Sequence, residues 1–320
     1  MTLPSPGPDA DCRTLHLRCG SDLLPALRAA GFLGDFLEHA FPYATGIPAA
    51  DDSDPAATQR ALEATAGYDR VVIWSEHDVH DQLVLVRLLA HYAAAPRPPQ
   101  LEMITISDWP AGEGTGRGRF LGLGQLSAAA LAGLWPGRVS VEAPQLACAA
   151  AVWAALAASD PTDLIRQVRA GLPALPLLVP ALWRHLQELP DGRTGLSLSQ
   201  RLALQALDDR GPQSLQALFR ELTDRRDPLP GQGDLQFRDR LLVLEACRQP
   251  LFLREPAAEG SDTRRPWTDR LTLTPLGRAV LKGALNAWTL GPAPWRVGGV
   301  QVAAVPGGRG PRFTAPLPPA

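Results

Sequence analysis

The sequence is short of lysine and of long apolar runs. Lys282 is the single lysine among the 31 basic residues, and the rest are arginines, a bias that GC-rich coding also produces. Arginine richness alone is therefore a weak indication of nucleic-acid binding. No run of about 18 apolar residues occurs, and residues 1–10 have neither a basic head nor an apolar stretch. We therefore expect no membrane span, no secretory signal and a cytoplasmic protein.

Cysteine is also scarce. The four cysteines lie far apart with no Cys-x-x-Cys spacing, which argues against a disulfide framework and a thiolate zinc site. No nucleophile elbow, His-Glu-x-x-His motif or P-loop is present, so no reaction class follows from a complete catalytic signature. The sequence therefore leaves open whether the protein is an enzyme, and it specifies no cofactor.

What is present indicates a folded protein of roughly two domains. The chain has 320 residues, 45% of them hydrophobic, which argues against disorder. Residues 1–150 carry 10 basic against 17 acidic side chains, a net charge of −7, whereas residues 195–320 carry 17 against 12, a net charge of +5. This opposite charge favours different partners for the two halves.

The first half alternates predicted strands and helices. Strands are predicted at residues 14–18, 35–39, 70–74 and 101–106, with a long helix at residues 79–94. Because residues 70–74 read as the clearest buried strand in the chain, we place this strand at the sheet centre. The alternation predicts an α/β, Rossmann-like domain with a mostly parallel sheet over residues 1–150, followed by a helical bridge over residues 151–194.

Polar residues follow the predicted strands. Since the carboxyl ends of parallel strands line one crevice, a functional pocket is expected there. The candidate catalytic residues are Glu76, His77 and Asp78, and the candidate ligand-binding residues are Gly20, Ser21, Asp22, Asp81, Gln82 and Asp108. Such a group suits a divalent cation, a general base, or recognition of hydroxyl and amine groups. The structural alternatives are helix N-caps for Asp22 and Asp78, and a hydrogen-bonded structural histidine for His77.

A glycine-rich segment, residues 112–118, directly follows the fourth predicted strand. It is too rich in glycine for regular structure, so a mobile lid is expected. Its spacing matches neither the P-loop nor the strand-coupled Gly-x-Gly-x-x-Gly motif, which argues against phosphate binding.

Two segments carry a resemblance to a known family. They are Leu15-His-Leu-Arg-Cys-Gly-Ser-Asp-Leu-Leu24 and Val72-Ile-Trp-Ser-Glu-His-Asp-Val-His-Asp-Gln82. With these residues, positions 13–150 resemble the bacterial family catalogued as domain of unknown function 1835. The resemblance implies a discrete domain and supplies no established reaction.

The second half shows the element order of a winged helix over residues 195–283. Helices are predicted at residues 197–207, 214–222 and 234–248, strands at 250–254 and 271–274, and a short helix at 275–281. Beyond it, residues 284–320 are expected to add one more strand at 295–302 and a disordered tail from Pro306.

This winged helix has two interpretations. In the first it binds DNA, through Arg238, Arg240 and Arg248 on the third helix and Arg264, Arg265 and Arg270 near the wing. In the second it contacts a protein or packs within the chain. Asp234, Asp239 and Glu245 lie on or near the face of the third helix that carries Arg238, and residues 195–283 hold 14 basic against 12 acidic side chains. Such a balance is far from the strongly basic surface of an autonomous DNA binder.

Two functions follow as alternatives. In one, a small molecule binds the acidic domain of a regulator and changes how its winged helix meets DNA or a protein. In the other, a hydrolase or group-transfer enzyme uses the cluster of carboxylates and His77 on a cationic or metal-bound substrate.

Overall fold

A computed structural model describes residues 7–47, 55–256 and 266–303. The chain divides into two compact units, unit 1 from Met1 to Ala181 and unit 2 from Leu182 to Ala320. The described residues contain eleven α-helices and ten strands. No helix in these ranges is both long enough and apolar enough to cross a lipid bilayer.

Unit 1 is built on a five-stranded sheet with the order β2-β1-β3-β4-β5. The first four strands along this order are parallel, and β5 is antiparallel to β4. The strands are β1 Thr14–Arg18, β2 Asp35–Glu38, β3 Arg70–Glu76, β4 Gln100–Ile106 and β5 Val139–Ser140. The prediction of an α/β fold with a mostly parallel sheet is confirmed, and β3 is central, with all seven residues buried.

Six helices lie within unit 1, and a seventh contains the boundary between the units. They are α1 Leu24–Ala29, α2 Pro55–Ala64, α3 Val79–Ala94, α4 Ala128–Leu134, α5 Ala143–Ala157, α6 Thr162–Ala170 and α7 Leu178–Leu186. Helix α3 begins at an N-cap, Asp78, whose side chain accepts a hydrogen bond from the Asp81 N–H. This cap holds the start of α3 directly behind the end of β3.

An aromatic and aliphatic core lies on one face of the sheet. Val72 and Trp74 of β3 pack there with Phe32, Leu123 and Trp135. His16, inside β1, is also buried and lies between Asp9 Oδ2 at 2.9 Å and the Trp74 indole Nε1 at 3.1 Å. Close packing of these side chains holds the strands, and therefore their carboxyl ends, in fixed positions.

Unit 2 contains four complete helices and two small sheets. The helices are α8 Leu198–Arg210, α9 Leu215–Glu221, α10 Asp234–Leu242 and α11 Pro275–Leu281. The strands are β6 Gln213–Ser214, β7 Phe252–Glu255, β8 Arg270–Leu273, β9 Trp295–Val297 and β10 Val300–Val302. One sheet has the antiparallel order β6-β8-β7, and β9 and β10 form a separate hairpin.

Two sequence predictions for unit 2 are corrected. The third predicted helix, residues 234–248, ends at Leu242, where the chain tightens into the 3₁₀ turn Val243–Ala246. The single strand predicted at residues 295–302 is a hairpin, because Gly298 has a φ of 56°, a left-handed conformation that favours a turn over a bulge. The tail predicted to be disordered from Pro306 lies outside the described residues.

Candidate functional site

Three buried carboxylates meet at the carboxyl end of β3. Glu76 is its last residue, Asp78 is the N-cap of α3, and Asp81 lies in the first turn of that helix. One oxygen from each lies within 4.8 Å of the others. The side chains are only 6%, 8% and 3% exposed, respectively. We call Glu76, Asp78 and Asp81 the carboxylate cluster.

Arg18, the last residue of β1, is the counter-ion of this cluster. Its Nη1 lies 3.1 Å from Asp81 Oδ1, its Nη2 lies 3.3 Å from Glu76 Oε2, and its Nε lies 3.2 Å from Asp22 Oδ1. Arg18 was not predicted as a site residue. Residues 14–18 alternate apolar and polar, so the sequence carries no local signal for the burial of Arg18.

Asp81 is fixed from several directions. Its carboxylate accepts hydrogen bonds from the Glu76 backbone N–H at 3.0 Å and from the Cys19 thiol at 2.9 Å, in addition to the Arg18 contact. Its own N–H donates to Asp78 Oδ1 at 2.8 Å. The cap interpretation of Asp78 is therefore confirmed. The same carboxylate also belongs to the cluster, so the two roles are compatible.

Burial and mutual repulsion favour the protonated forms of Glu76 and Asp78. Burial, reinforced by Asp81, raises the pKa of Glu76 to about 7, although Arg18 and the Leu123 N–H act in the opposite direction. Burial, reinforced by Asp81 and Glu76, raises the pKa of Asp78 well above its ordinary range. Three carboxylates share one buried guanidinium, so the cluster stabilises either protons or an additional cation.

The other predicted residues of unit 1 divide into two groups. Asp22 is about half exposed and pairs with Arg18, so its predicted N-cap role is wrong, since α1 has no side-chain cap. Gln82 donates its amide to the Glu76 carbonyl at 2.6 Å and holds the end of β3. Gly20 precedes the 3₁₀ turn that carries Asp22, and Ser21 lies exposed in that turn.

His77 and Asp108 do not make the contacts expected of catalytic partners. The His77 ring stacks on Phe120 with centroids 5.9 Å apart, and its buried Nδ1 has no hydrogen-bond partner in the described part of the chain. Burial lowers the pKa of His77, so the ring is neutral at pH 7. Asp108 is exposed and accepts a hydrogen bond from the Trp109 N–H at 2.7 Å.

The arginines predicted to contact DNA lie in different environments. Arg240 is only 4% exposed, its Nε lies 3.3 Å from Glu188 Oε2, and its Nη2 donates to the Arg296 carbonyl, so Arg240 is removed from the candidate DNA contacts. Arg238 pairs with Asp239 at 2.7 Å. Arg248 and Arg270 are exposed. The remaining two candidates, Arg264 and Arg265, lie outside the described residues.

Comparison with known proteins does not assign a function. No family model matches the chain. No curated protein matches it either. Carboxylate oxygens are the ligands that Mg²⁺, Mn²⁺ and Ca²⁺ prefer, so Glu76, Asp78 and Asp81 could together hold such an ion or a protonated amine.

Proposed function

We propose that the protein is a ligand-sensing regulator in which unit 1 binds a small cation and unit 2 is a winged helix that contacts a partner. The observation that carries the proposal is the location of the carboxylate cluster. In the order β2-β1-β3-β4, the chain passes from β1 to β2 on one side and then returns to place β3 and β4 on the other side of β1. The strand order therefore reverses between β1 and β3. Open α/β sheets bind ligands outside the carboxyl ends of the strands at such a reversal. Arg18 ends β1 there and Glu76 ends β3.

Charge selects the class of ligand. Phosphate groups bind helix N-termini through free backbone N–H groups and the positive end of the helix dipole. At the start of α3, however, Asp78 caps the Asp81 N–H, and Asp81 adds a second carboxylate in the first turn. These groups repel an anion and attract a cation. The ligand class is therefore a divalent metal ion or a small protonated amine.

The order of elements supports a winged helix in unit 2. Helices α8, α9 and α10 are followed by strands β7 and β8, and the short strand β6 between α8 and α9 pairs with β8. Three helices with a β6-β8-β7 sheet are the arrangement of winged helix-turn-helix domains, with the wing between β7 and β8. In unit 1, the segments at residues 15–24 and 72–82 support membership of residues 13–150 in domain of unknown function family 1835.

The described charges favour a protein partner for the winged helix. Asp234 and Asp239 are exposed on α10, Arg240 is buried, and Leu235 is 53% exposed. A helix with these groups repels a phosphate backbone and fits an apolar or basic protein surface. The enzyme alternative would use the same carboxylate cluster, but its second component is weaker, because His77 stacks on Phe120 and its Nδ1 makes no hydrogen bond within the described residues.

We expect the full chain to bind a small cation at pH 8, where more of the Glu76 carboxyl is ionised. Titration calorimetry with Mg²⁺, Mn²⁺ and spermidine as probes measures this. The double variant Glu76→Gln, Asp78→Asn should lower the affinity for the tightest-binding probe by about tenfold or more, because two carboxylate charges are removed from the site.

Glu63→Gln, an exposed change on α2, serves as the matched control and should leave the affinity unchanged. Failure of all three probes to bind the wild-type chain would refute the cation site. Equal affinity of the double variant and the wild type would refute the assignment to Glu76 and Asp78.

We expect no specific affinity for duplex DNA. Phosphate contacts are strong at about 50 mM salt and weaken steeply as salt rises, so a salt series on the purified protein detects them. A flat, negligible affinity agrees with a protein partner. Steep salt dependence that is lost in Arg248→Ala, Arg270→Ala would instead establish DNA binding and contradict this part of the proposal.

A further inference from the structure

A short segment between β4 and α4 lies against Glu76 of the carboxylate cluster. We call residues 120–126 the strap. Three of its side chains, Phe120, Leu123 and Leu126, are buried in the core that also contains Trp74. The strap is therefore anchored in unit 1, in contrast to the preceding residues 112–118, which are largely exposed.

The strap backbone touches two acidic side chains of the site. The Leu123 N–H donates a hydrogen bond to Glu76 Oε2. At Gly122, an added Cβ would lie 2.1 Å from Glu76 Oε1, and at Gly124 an added Cβ would lie 2.7 Å from Asp22 Oδ2. Real Cβ atoms do not approach so closely, so a side chain at either position would force the strap or the facing carboxylate to move.

The strap also has an internal closure. Gln125 Oε1 accepts hydrogen bonds from the Leu121 N–H at 2.6 Å and the Gly122 N–H at 3.3 Å. The Gln125 N–H in turn donates to the Gly122 carbonyl at 3.1 Å. These bonds keep the turn folded without any contribution from Glu76. The turn can therefore separate from Glu76 and retain its own shape.

We propose that the strap is a gate that a ligand of the carboxylate cluster must displace. The inference rests on the proposed cation site. In the closed arrangement the Leu123 N–H occupies Glu76 Oε2, and the Gly122 backbone covers Glu76 Oε1. A cation that uses the Glu76 carboxylate replaces this donor, so the Leu123 N–H is released and the strap backbone at Gly122 shifts away from Glu76. Closed strap and bound ligand thus compete for the same two oxygens.

Gly122→Ala tests the gate, with Gly118→Ala as its matched control. An added Cβ at Gly122 meets the Glu76 carboxylate, whereas one at Gly118 has no neighbour within 4 Å. We expect hydrogen exchange over residues 120–126 to be about tenfold faster in Gly122→Ala, since the Leu123 N–H loses its acceptor. The tightest of the three probe cations should bind this variant about tenfold more tightly, because the open state is already populated. Gly118→Ala should match the wild type in both measurements.

In the wild type, the same probe should accelerate exchange of the strap amides about tenfold. If the probe binds but strap exchange stays constant, and Gly122→Ala binds it like the wild type, the gate is refuted while the cation site stands. If no probe binds the wild type, the cation site itself is refuted. Should Gly122→Ala not fold, Gln125→Ala replaces it, because it removes the acceptor that closes the turn. The gate predicts tighter probe binding by that variant, and unchanged binding contradicts it.

Discussion

Replacing Arg18 with methionine is expected to lower the free energy of unfolding at pH 8 by about 3 to 5 kcal/mol. Methionine fills a similar length of space, so the change removes charge more than volume. Arg18 is 3% exposed and contacts Glu76, Asp81 and Asp22. Without it, Glu76, Asp78 and Asp81 lose the buried guanidinium that offsets their charge. The large cost arises from these uncompensated charges and exceeds the value of any single ion pair.

Chemical denaturation at pH 8 measures this loss, and Arg97→Met is the matched control. Arg97 is exposed, so its replacement should change stability by no more than about 0.5 kcal/mol. Combining Arg18→Met with Glu76→Gln should recover part of the loss, because one of the uncompensated charges disappears. Strict additivity of the two changes, or a loss below about 1 kcal/mol for Arg18→Met, would show that Arg18 does not neutralise the cluster.

The sequence allowed the sheet of unit 1 to be predicted because its signals are local. The strand Thr14–Arg18 and the helix Val79–Ala94 begin and end where apolar periodicity, an N-cap or a proline places them. The polar residues at the end of β3 were also selected, because the residues that follow a buried strand are visible in the sequence. Glu76, Asp78 and Asp81 indeed lie together.

Arg18 was missed because its role depends on pairing between strands. Alternation in the segment 14–18 assigns Arg18 to a polar position, which in a half-exposed strand faces water. All five residues of β1 are buried, however, because the strand lies between β2 and β3. Sequence periodicity does not show that a carboxylate 63 positions away, Asp81, receives the guanidinium.

Arg240 shows the same limit in unit 2. Helical periodicity places it on α10 but does not show which side of that helix is covered. The structure packs it against Glu188, which follows α7, and against the Arg296 carbonyl of β9. Burial lowers the pKa of Arg240 to about 10, so it remains charged at pH 7 and needs these partners. Its role is therefore structural, and that role depends on packing against residues that are distant in the sequence.

The stability advantage of Glu76→Gln over the wild type is expected to grow by about 2.5 kcal/mol between pH 5 and pH 8. In the folded protein the pKa of Glu76 is about 7, above its ordinary value of 4.5. A raised carboxyl pKa contributes stability that is fully present below pH 4.5 and is lost as the pH rises through 7. Asp78, whose pKa is also raised, changes stability in the same direction.

The comparison between variant and wild type is necessary because other groups titrate nearby. Burial lowers the pKa of His39 and of His185 to about 4, so both add stability as the pH rises from 4 towards 6.5. The pKa of Glu188 is lowered to about 2, so its contribution is lost only in stronger acid. Because these groups are common to both proteins, the difference in unfolding free energy isolates Glu76 and its neighbours. Urea denaturation of the two proteins at half-unit pH intervals gives this difference. A pH-independent difference would show that Glu76 is already ionised at pH 5, and Glu76 would then hold no proton for a cation to displace.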